Sequence, residues 1–368
     1  MFYRKLLRPL LFGLSAEKAH HLTIHGLSLA EKIPGGISLL RMLYGMSKQK
    51  KLTIKLGGIE FPNPIGLAAG LDKNAVAVAG FSSIGFGFME VGTITPKEQP
   101  GNPLPRLFRL PIDTAIINRM GFNNVGADQM AVNLKKAKPY IIPVAVNIGK
   151  NKVTANEDAV DDYRACIRHL YAEGDFFVVN ISSPNTPGLR SLQHGEELRI
   201  LLEAVKEEMS IQRNRHGGSN KPIWVKIAPD VSVEELSYMI ETIVQSGITG
   251  VIATNTTLNR DGLQHVNATE AGGLSGKPLT NRSTEIIRQI YKQTNGTLPI
   301  IGCGGVFTAE DAYDKIRAGA SLVEVYTALI YEGPSLIKRL NKGLLQLLAR
   351  DGYSHISQAI GADHPKLG

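Results

Sequence analysis

Lysines and asparagines stand at the points where apolar, strand-like segments of this sequence end. Lys73, Asn147, Asn180, Lys226 and Asn255 occupy such positions. Because an asparagine side chain both donates and accepts hydrogen bonds, several of them in one cavity would match the alternating N–H and C=O edge of a cyclic imide or ureide. The set suited to this purpose is Asn118, Asn180, Asn185 and Asn255, with Lys73 neutralising a carboxylate on the ring.

A serine and a glycine-rich turn add two further kinds of chemistry. Ser183 lies in a loop stiffened by Pro184 and Pro187, where it could act as a nucleophile or as a proton acceptor. Neither a G-x-S-x-G elbow nor a catalytic-triad arrangement accompanies it, which disfavours acyl transfer. The turn at 302–305 and the pair that begins at Tyr326 follow the last two apolar segments, a placement typical of phosphate bound by backbone amides.

Eight apolar segments, several of them followed by clear helical patterns, must position these residues. The segments are nearly continuous in hydrophobicity, as expected of parallel strands that are covered on both faces. They begin at 63, 86, 141, 176, 222, 250, 298 and 321, and helix candidates begin, for example, at 157, 232 and 308. This alternation predicts an α/β fold, a (β/α)8 TIM barrel, with its active site at the carboxyl ends of the strands. A doubly wound sheet is the alternative, but its G-x-G-x-x-G fingerprint is absent after the first strand.

The first 45 residues do not follow this alternation and predict a helical extension. One apolar stripe comprises Phe2, Tyr3, Leu6, Leu7, Leu10 and Leu14, and Pro9 should bend or restart that helix. A second helix is predicted from the Ser15 cap, with an apolar face formed by Ala19, Leu22, Gly26 and Leu29, and a short third helix follows. Such helices can lie in a membrane interface, or they can pack on the barrel or on a second subunit, and the sequence leaves these alternatives open.

The charge of the chain is concentrated at the same end. The 368 residues carry a formal net charge of +8, of which +7 lies within the first 51 residues and +1 in the remaining 317. A basic excess of this kind could indicate nucleic acid, an anionic membrane surface or a phosphate-bearing ligand. Its confinement to amphipathic helices favours anionic lipid, and no nucleic-acid partner is expected.

Composition excludes several other classes of protein. With 43% hydrophobic and 20% charged residues the chain has the composition of a globular protein, which excludes disordered, collagen-like and coiled-coil proteins. Cys166 and Cys303 are too few and too far apart for a disulfide scaffold, and no metal-ligand cluster is present, so redox chemistry would need an organic cofactor. No apolar run is long enough for a spanning helix, and Arg8 and Pro9 make the opening a poor signal peptide.

A series of long motifs resembles the dihydroorotate dehydrogenases, specifically the membrane-associated, quinone-dependent class 2. The motifs include GLAAGLDKN from 66, EVGTITP from 90, INRMGFNN from 117, VNISSPNTPGLR from 179, VKIAPD from 225, IATNTT from 252, GGLSGKPL from 272 and VEVYTALIYEGP from 323. Ser183 matches the class 2 catalytic base, where class 1 enzymes place Cys. The resemblance implies oxidation of (S)-dihydroorotate to orotate in pyrimidine (UMP) biosynthesis, with one FMN per chain as hydride acceptor and ubiquinone or menaquinone as final electron acceptor.

The resemblance also implies a role for each matching position. FMN would contact Ala69, Gly70, Leu71, Asp72, Lys73, Thr93, Asn147, Asn180, Lys226, Thr254, Gly276, Gly305, Tyr326 and Thr327. The substrate would meet Lys73, Asn118, Arg119, Met120, Gly121, Phe122, Asn180, Asn185, Asn255 and Thr256. Quinone access would involve His20, Arg109 and Tyr326. In this family Lys226 would stabilise the negative charge of the reduced flavin, an electrostatic role that a neutral residue could not fill.

These inferences divide the chain into residues 1–45, a membrane and quinone-access segment, and residues 46–368, an FMN-binding catalytic barrel. We expect a monomer that is peripheral to the cytoplasmic face of a bacterial inner membrane and holds no metal. A barrel aldolase with Lys226 as a Schiff base is the rival enzyme class. A non-catalytic module that binds a membrane surface is the rival outside enzymes.

Overall fold

A computed structural model describes residues 3–365 of the chain, so the predicted stripe residue Phe2 lies outside the described range. Within that range the strands are β1 (Ile54–Leu56), β2 (Ile59–Phe61), β3 (Ile65–Leu67), β4 (Phe88–Ile94), β5 (Leu107–Leu110), β6 (Ala115–Asn118), β7 (Val144–Ile148), β8 (Phe176–Asn180), β9 (Ile223–Ile227), β10 (Gly250–Ala253), β11 (Gly273–Gly276), β12 (Ile300–Cys303) and β13 (Leu322–Val325). The α-helices are α1 (Arg8–Gly13), α2 (Ala16–Lys32), α3 (Gly36–Tyr44), α4 (Val78–Ser82), α5 (Ala127–Ala137), α6 (Ala159–Leu170), α7 (Gly195–His216), α8 (Val233–Gln245), α9 (Thr280–Gln293), α10 (Ala309–Arg317), α11 (Thr327–Glu332) and α12 (Ser335–Arg350).

Eight of the strands close into a parallel barrel in the order β3, β4, β7, β8, β9, β10, β12, β13. Each of the eight predicted apolar segments contains one of these strands, so the predicted TIM barrel is confirmed. Every residue of β7, β8 and β9 is buried, because helices cover the outer face and side chains fill the interior. The register pairs Asn180 of β8 with Lys226 of β9, which places two predicted site residues side by side at the carboxyl edge.

Local sequence signals fix where the barrel helices begin. At α8, Ser232 accepts a hydrogen bond from the Glu235 backbone and the Glu235 carboxylate accepts one in return, which forms a capping box. Thr308 and Asp311 form the same reciprocal pair at α10. Both helices lie where the sequence predicted them, and their caps satisfy backbone donors that helix geometry leaves free.

The N-terminal segment folds into the three helices that the sequence predicted. A π-helical turn over Tyr3–Leu7 passes into α1, with Pro9 in its first turn, and Ser15 caps α2. None of these helices buries a residue completely, and Leu10 and Met42 remain 72% and 71% exposed. The described helices include none with the length and apolarity that crossing a bilayer requires.

The side of α2 that faces the barrel is broader than the predicted apolar face. Ile24 and Leu27 pack against the barrel core, and Glu31 accepts a hydrogen bond from the Gly80 backbone at the start of α4. Ala19, Leu22 and Gly26 of the predicted face line a cavity between the N-terminal helices and the barrel. Leu29, the fourth residue of that face, is 46% exposed. Three of the four residues of the predicted face therefore lie toward the barrel, and the structure adds Ile24 and Leu27 to that side.

Two small sheets were not predicted. The hairpin of β1 and β2 precedes the barrel, and β5, β6 and β11 form an antiparallel three-stranded sheet. β6 ends at Asn118, which pairs with Gly273 of β11. This sheet therefore brings Asn118 to the carboxyl end of the barrel, although no barrel strand carries it.

Candidate active site

A cavity opens at the carboxyl ends of the barrel strands, and most of the predicted site residues line it. From the predicted FMN set these are Ala69, Gly70, Lys73, Thr93, Asn180, Lys226, Thr254, Gly276, Gly305, Tyr326 and Thr327. From the predicted substrate set they are Lys73, Asn118, Met120, Gly121, Phe122, Asn180, Asn185, Asn255 and Thr256, and the predicted catalytic Ser183 joins them. We call this space the polar cavity.

Four predicted residues are not in the wall of the polar cavity. The Arg119 guanidinium pairs with Glu270 at 2.6 Å and lies over a phenylalanine ring, so its side chain contacts neighbouring segments and not the cavity. The Asp72 carboxylate accepts from the backbone of residues 76 and 77, and Leu71 lines a different, apolar cavity. Asn147 is completely buried and reaches the cavity only through its hydrogen-bond partners.

A chain of side-chain hydrogen bonds orients the amides at the strand ends. Thr93 donates to the Asn147 side-chain oxygen, and the Asn180 amide donates to the Thr93 hydroxyl at 2.9 Å. The Asn255 amide donates to Asn180 at 3.3 Å and to Ser182 at 2.9 Å. Each amide is thereby held in one orientation, and pre-set donors and acceptors are what recognition of a polar ring requires.

Ser183 is held in a loop that is tied to its neighbours. Its hydroxyl accepts from the Asn185 backbone at 3.3 Å, and only 6% of the residue is exposed. Arg190 donates to the Ser182 carbonyl at 3.0 Å and to the Thr256 carbonyl at 3.0 Å, which joins the loop to the end of β10. The serine is therefore fixed at the wall, and no histidine lines the polar cavity with it in the described structure.

Lys73 is a partly buried cation on the cavity wall. Burial lowers its pKa to about 8, an effect that the Glu17 carboxylate opposes and the Arg106 guanidinium reinforces. At neutral pH most of this lysine is still charged. A carboxylate entering the cavity would hold that charge more firmly, because an opposite charge at close range favours the ionised form.

Lys226 lies inside the barrel between the carboxyl groups of two glutamates. Its ammonium donates to Glu90 at 2.6 Å and to Glu324 at 3.2 Å, and all three side chains are buried. Burial alone would lower the pKa of Lys226, but its interactions with Glu324 and Glu90 outweigh burial and raise that pKa. The lysine is therefore a fixed cation at the floor of the polar cavity.

Sequence reasoning missed both of these carboxylates. Glu324 lines the polar cavity, whereas Glu90 supports it by accepting from Lys226, from the Asn147 amide and from the Ala69 backbone. A lone glutamate within each of the apolar strands FMEVGTI and LVEV was an available signal, since an unpaired charge is not tolerated on a buried strand. Phe307 and Ser275 also line the cavity without having been predicted.

A glycine turn forms another part of the wall. Gly304 and Gly305 adopt positive φ angles, and a side chain at Gly305 would collide with the backbone of Thr280. The Thr280 hydroxyl donates to the Gly305 carbonyl at 2.8 Å, and Ser283 donates to the Cys303 carbonyl at 2.7 Å, so α9 holds this turn in place. Thr327, the first residue of α11, lines the same cavity. Exposed peptide N–H groups of such turns are common ligands of phosphate.

A second cavity of about 380 Å³ lies between the N-terminal helices and the barrel. Its wall is mostly apolar, and it includes the three residues predicted for quinone access, His20, Arg109 and Tyr326. Burial, with smaller effects of Lys73 and His21, lowers the pKa of His20 to about 3, so the imidazole is neutral. We call this space the apolar cavity, and among the described residues Tyr326 is the one that lines both cavities.

Arg109 joins the wall of the apolar cavity to α1. Its guanidinium lies 4.5 Å above the Phe12 ring, and it donates to the Leu11 carbonyl at 3.0 Å and to the Leu14 carbonyl. These carbonyls lie at the carboxyl end of α1, where helix geometry leaves them without partners. One side chain thus closes the helix end and contributes a cation to the cavity.

Comparison with known proteins places this architecture in one family. A family model described as dihydroorotate dehydrogenase matches residues 51–348. A protein of Deinococcus deserti named dihydroorotate dehydrogenase (quinone) is 53% identical over 361 residues, covering 98% of this chain and 99% of that relative. A Deinococcus radiodurans protein of the same name is 51% identical and covers 96% and 98%.

A solved structure agrees with the sequence relatives. The crystal structure of the dihydroorotate dehydrogenase of Eimeria tenella in complex with ferulenol superposes with a TM-score of 0.87 and 41% identity. The match covers 95% of each chain, so both the barrel and most of the helical extension have counterparts there.

Proposed function

Because this chain belongs to the dihydroorotate dehydrogenase family, we propose that it oxidises dihydroorotate to orotate at the polar cavity and delivers the electrons to a quinone. This reaction is a step of pyrimidine biosynthesis. The observation that supports the assignment best is the convergence on one cavity of oriented amides, two lysines and a serine without a histidine. Such a set suits a cyclic ureide that bears a carboxylate.

FMN fits the rest of the polar cavity. The Gly304–Gly305 turn and Thr327 offer a place for its phosphate, while Thr93, Asn180 and Lys226 offer hydrogen bonds to a planar ring. When bound, FMN supplies the acceptor for the hydride that leaves C6 of dihydroorotate. Lys226 is held as a cation and so favours negative charge on its side of the cavity.

Substrate recognition falls to the asparagines and to Lys73. Asn118, Asn185 and Asn255 line the same cavity, and the Asn185 amide is already directed at the Asn118 carbonyl at 3.1 Å. These groups would meet the N–H and C=O edge of the ring. Lys73 would pair with the substrate carboxylate, which gives orientation as well as affinity.

Ser183 takes the proton from C5 of dihydroorotate in this proposal. A serine hydroxyl is a weak base, so it acts by passing its own proton into the surrounding hydrogen bonds while it accepts the proton from C5. The small exposure of Ser183 keeps bulk water from competing for this step. Arg190 holds the loop in place.

Electrons leave through the apolar cavity to ubiquinone or menaquinone. A quinone ring and tail suit a mostly apolar wall, and Arg109 and the neutral His20 provide two polar contacts within it. The exposed leucines and basic residues of the N-terminal helices would rest on anionic lipid at the cytoplasmic face of a bacterial inner membrane. The enzyme would therefore draw its quinone directly from the bilayer.

A Schiff-base aldolase is disfavoured by the state of Lys226. An amine must be neutral to attack a carbonyl, whereas the contacts with Glu90 and Glu324 hold this lysine as an ammonium. The aldolase alternative is therefore not retained.

The test is a spectrum followed by an acceptor assay. Purified protein should be yellow with an FMN spectrum, and dihydroorotate should bleach that colour in the absence of air. Turnover should then be fast with quinone and slow with fumarate or NAD. A colourless protein that does not take up FMN, or a preference for fumarate or NAD, would refute the proposal.

A further inference from the structure

Two buried carboxylates share one ammonium beneath the polar cavity. Glu90 of β4 and Glu324 of β13 are 0% and 1% exposed, and both accept from Lys226 of β9. If both glutamates were ionised, the group would carry a net negative charge in the barrel interior. Uncompensated charge in such a place costs several kcal/mol, so one of the two carboxyl groups is expected to retain a proton.

The hydrogen bonds indicate which glutamate holds that proton. Glu90 accepts from three donors, namely Lys226 at 2.6 Å, the Ala69 backbone at 2.9 Å and the Asn147 amide. Glu324 accepts only from Lys226, at 3.2 Å, and its other oxygen has no partner within residues 3–365. Donors stabilise the ionised form, so Glu324, with the fewer donors, is the carboxyl group expected to hold the proton.

Other charged groups near Glu324 are few. Cys303 on the neighbouring strand β12 is a thiol, because burial raises its pKa to about 12, and Lys315 of α10 influences that same thiol. The other neighbouring strand, β3, contributes no ionisable side chain. Burial first, and the charge of Glu90 second, raise the pKa of Glu324 well above its ordinary value, while Lys226 opposes them.

We propose that Glu324 is protonated at neutral pH, and that its ionisation at alkaline pH lowers the reduction potential of FMN bound in the polar cavity. The inference rests on the proposed function, since it needs FMN at this site. Glu324 and Lys226 both line the cavity. While Glu324 is neutral, the charge of Lys226 is balanced only by Glu90, and ionisation of Glu324 adds a negative charge that opposes reduction.

Glu324 thus acts through Lys226 and the local field as a positioning residue, without taking part in bond breaking. As the pH rises its proton passes to solvent, and FMN takes up two electrons from the reductant in either state. The expected effect is a potential that falls more steeply with pH while Glu324 titrates, because reduction and ionisation oppose one another.

The experiment compares the FMN reduction potential of three holoproteins between about pH 6 and pH 10, by spectroelectrochemical titration. The three are the wild type, Glu324→Gln and the control Glu208→Gln, whose buried glutamate pairs with Arg168 away from the polar cavity. Wild type and Glu324→Gln should agree at the acidic end, where both carry a neutral group. At the alkaline end the wild type should have the lower potential, and Glu208→Gln should follow the wild type throughout.

A difference between wild type and Glu324→Gln that does not change with pH, or no difference, would overturn the proposal. If Glu324→Gln does not fold, the wild type alone tests the proposal. A reduction potential that falls with one constant slope from about pH 6 to pH 10 would contradict titration of Glu324. Infrared spectroscopy gives an independent readout, the carbonyl stretch of a protonated carboxylic acid at neutral pH. Failure to bind FMN would instead refute the proposed function, so the two failures are distinguishable.

Discussion

At the scale of single residues, the polar cavity is distinguished by how firmly its groups are held. Asn180 and Asn255 are oriented by neighbouring hydroxyl and amide groups, and Lys226 is fixed by two glutamates. Lys73 is the exception, since no side-chain hydrogen bond to it is found among the described residues and its pKa is lowered. A group that is not already paired is available to a ligand, and this suits Lys73 to a substrate carboxylate.

Replacement of Ser183 by alanine should nearly abolish the oxidation of dihydroorotate. Loss of a general base typically costs about 10²–10⁴ in rate, and FMN should remain bound because Ser183 does not support the glycine turn. The measurement is the rate of flavin bleaching by dihydroorotate under anaerobic conditions. Ser191→Ala, in the same segment but exposed, is the matched control; turnover of Ser183→Ala equal to that control would remove Ser183 from the mechanism.

The pH dependence of orotate binding should report Lys73. Its pKa of about 8 means that the charge is present below that pH and is lost above it. We therefore expect the dissociation constant for orotate to be constant below about pH 7 and to rise about tenfold per pH unit well above pH 8. Flavin absorbance during orotate titration measures it.

Lys73→Met should weaken orotate binding at neutral pH, and its affinity for orotate should no longer fall as the pH rises above about 8. Lys292→Met, at an exposed position of α9, should retain the wild-type profile. If the affinity of Lys73→Met for orotate still fell at alkaline pH, the titrating group would be a residue other than Lys73.

At the scale of elements, the loops and small strands between barrel strands do as much for the site as the strands themselves. β6 delivers Asn118, the loop after β8 delivers Ser183, and α9 holds the glycine turn. On the opposite side α1 and α2 form the outer wall of the apolar cavity, and Arg109 of β5 connects that wall to the barrel.

Arg109→Met should impair the quinone half of the reaction selectively. The variant loses the hydrogen bonds to the end of α1 and a cation in the cavity wall, and a hydrogen bond made by a charged group is worth about 1.5–3 kcal/mol. We expect the KM for quinone to rise about tenfold or more, with unchanged flavin bleaching by dihydroorotate. Steady-state kinetics with a quinone and with a soluble dye separate these effects.

The control for Arg109→Met is Arg215→Met, an exposed position at the end of α7. It should match the wild type with both acceptors. If Arg109→Met slowed turnover with the dye as much as with the quinone, Arg109 would not be specific to the apolar cavity.

The sequence predicted the barrel better than its surroundings, for physical reasons. A strand such as β8 is a continuous apolar run buried on both faces, so its hydrophobicity alone reveals it. β5, β6 and β11 are short and their partners are distant in sequence, so no local pattern reveals the sheet. Glu324 was missed because its role depends on Glu90 and Lys226, which only the closed barrel brings together.

At the scale of the whole molecule, the chain combines a barrel of nearly neutral charge with a strongly basic, partly apolar extension. Leu10 and Met42 are exposed on helices that also carry arginine and lysine. This distribution suits a protein that rests on anionic lipid through one end while its catalytic cavity remains in water. The predicted division at residue 45 follows the last N-terminal helix, which ends at Tyr44.

Removal of residues 1–45 should separate the two functions. The barrel should retain FMN and its bleaching by dihydroorotate, because the polar cavity is lined entirely from later residues. Quinone turnover and cosedimentation with anionic vesicles should both be lost, and binding of the full chain should weaken at high salt. Neutral vesicles serve as the control; full quinone turnover by the truncated protein would refute the role of the extension.

Tyr326 stands between the two cavities and lines both. One consequence concerns the order of events in steady-state kinetics. If dihydroorotate binds in the polar cavity and quinone in the apolar cavity, as proposed, the two do not compete for one space, so orotate should inhibit competitively against dihydroorotate but not against quinone. Double-reciprocal plots should give parallel lines, and an inhibitor shaped for the apolar cavity should leave the first half-reaction at full speed.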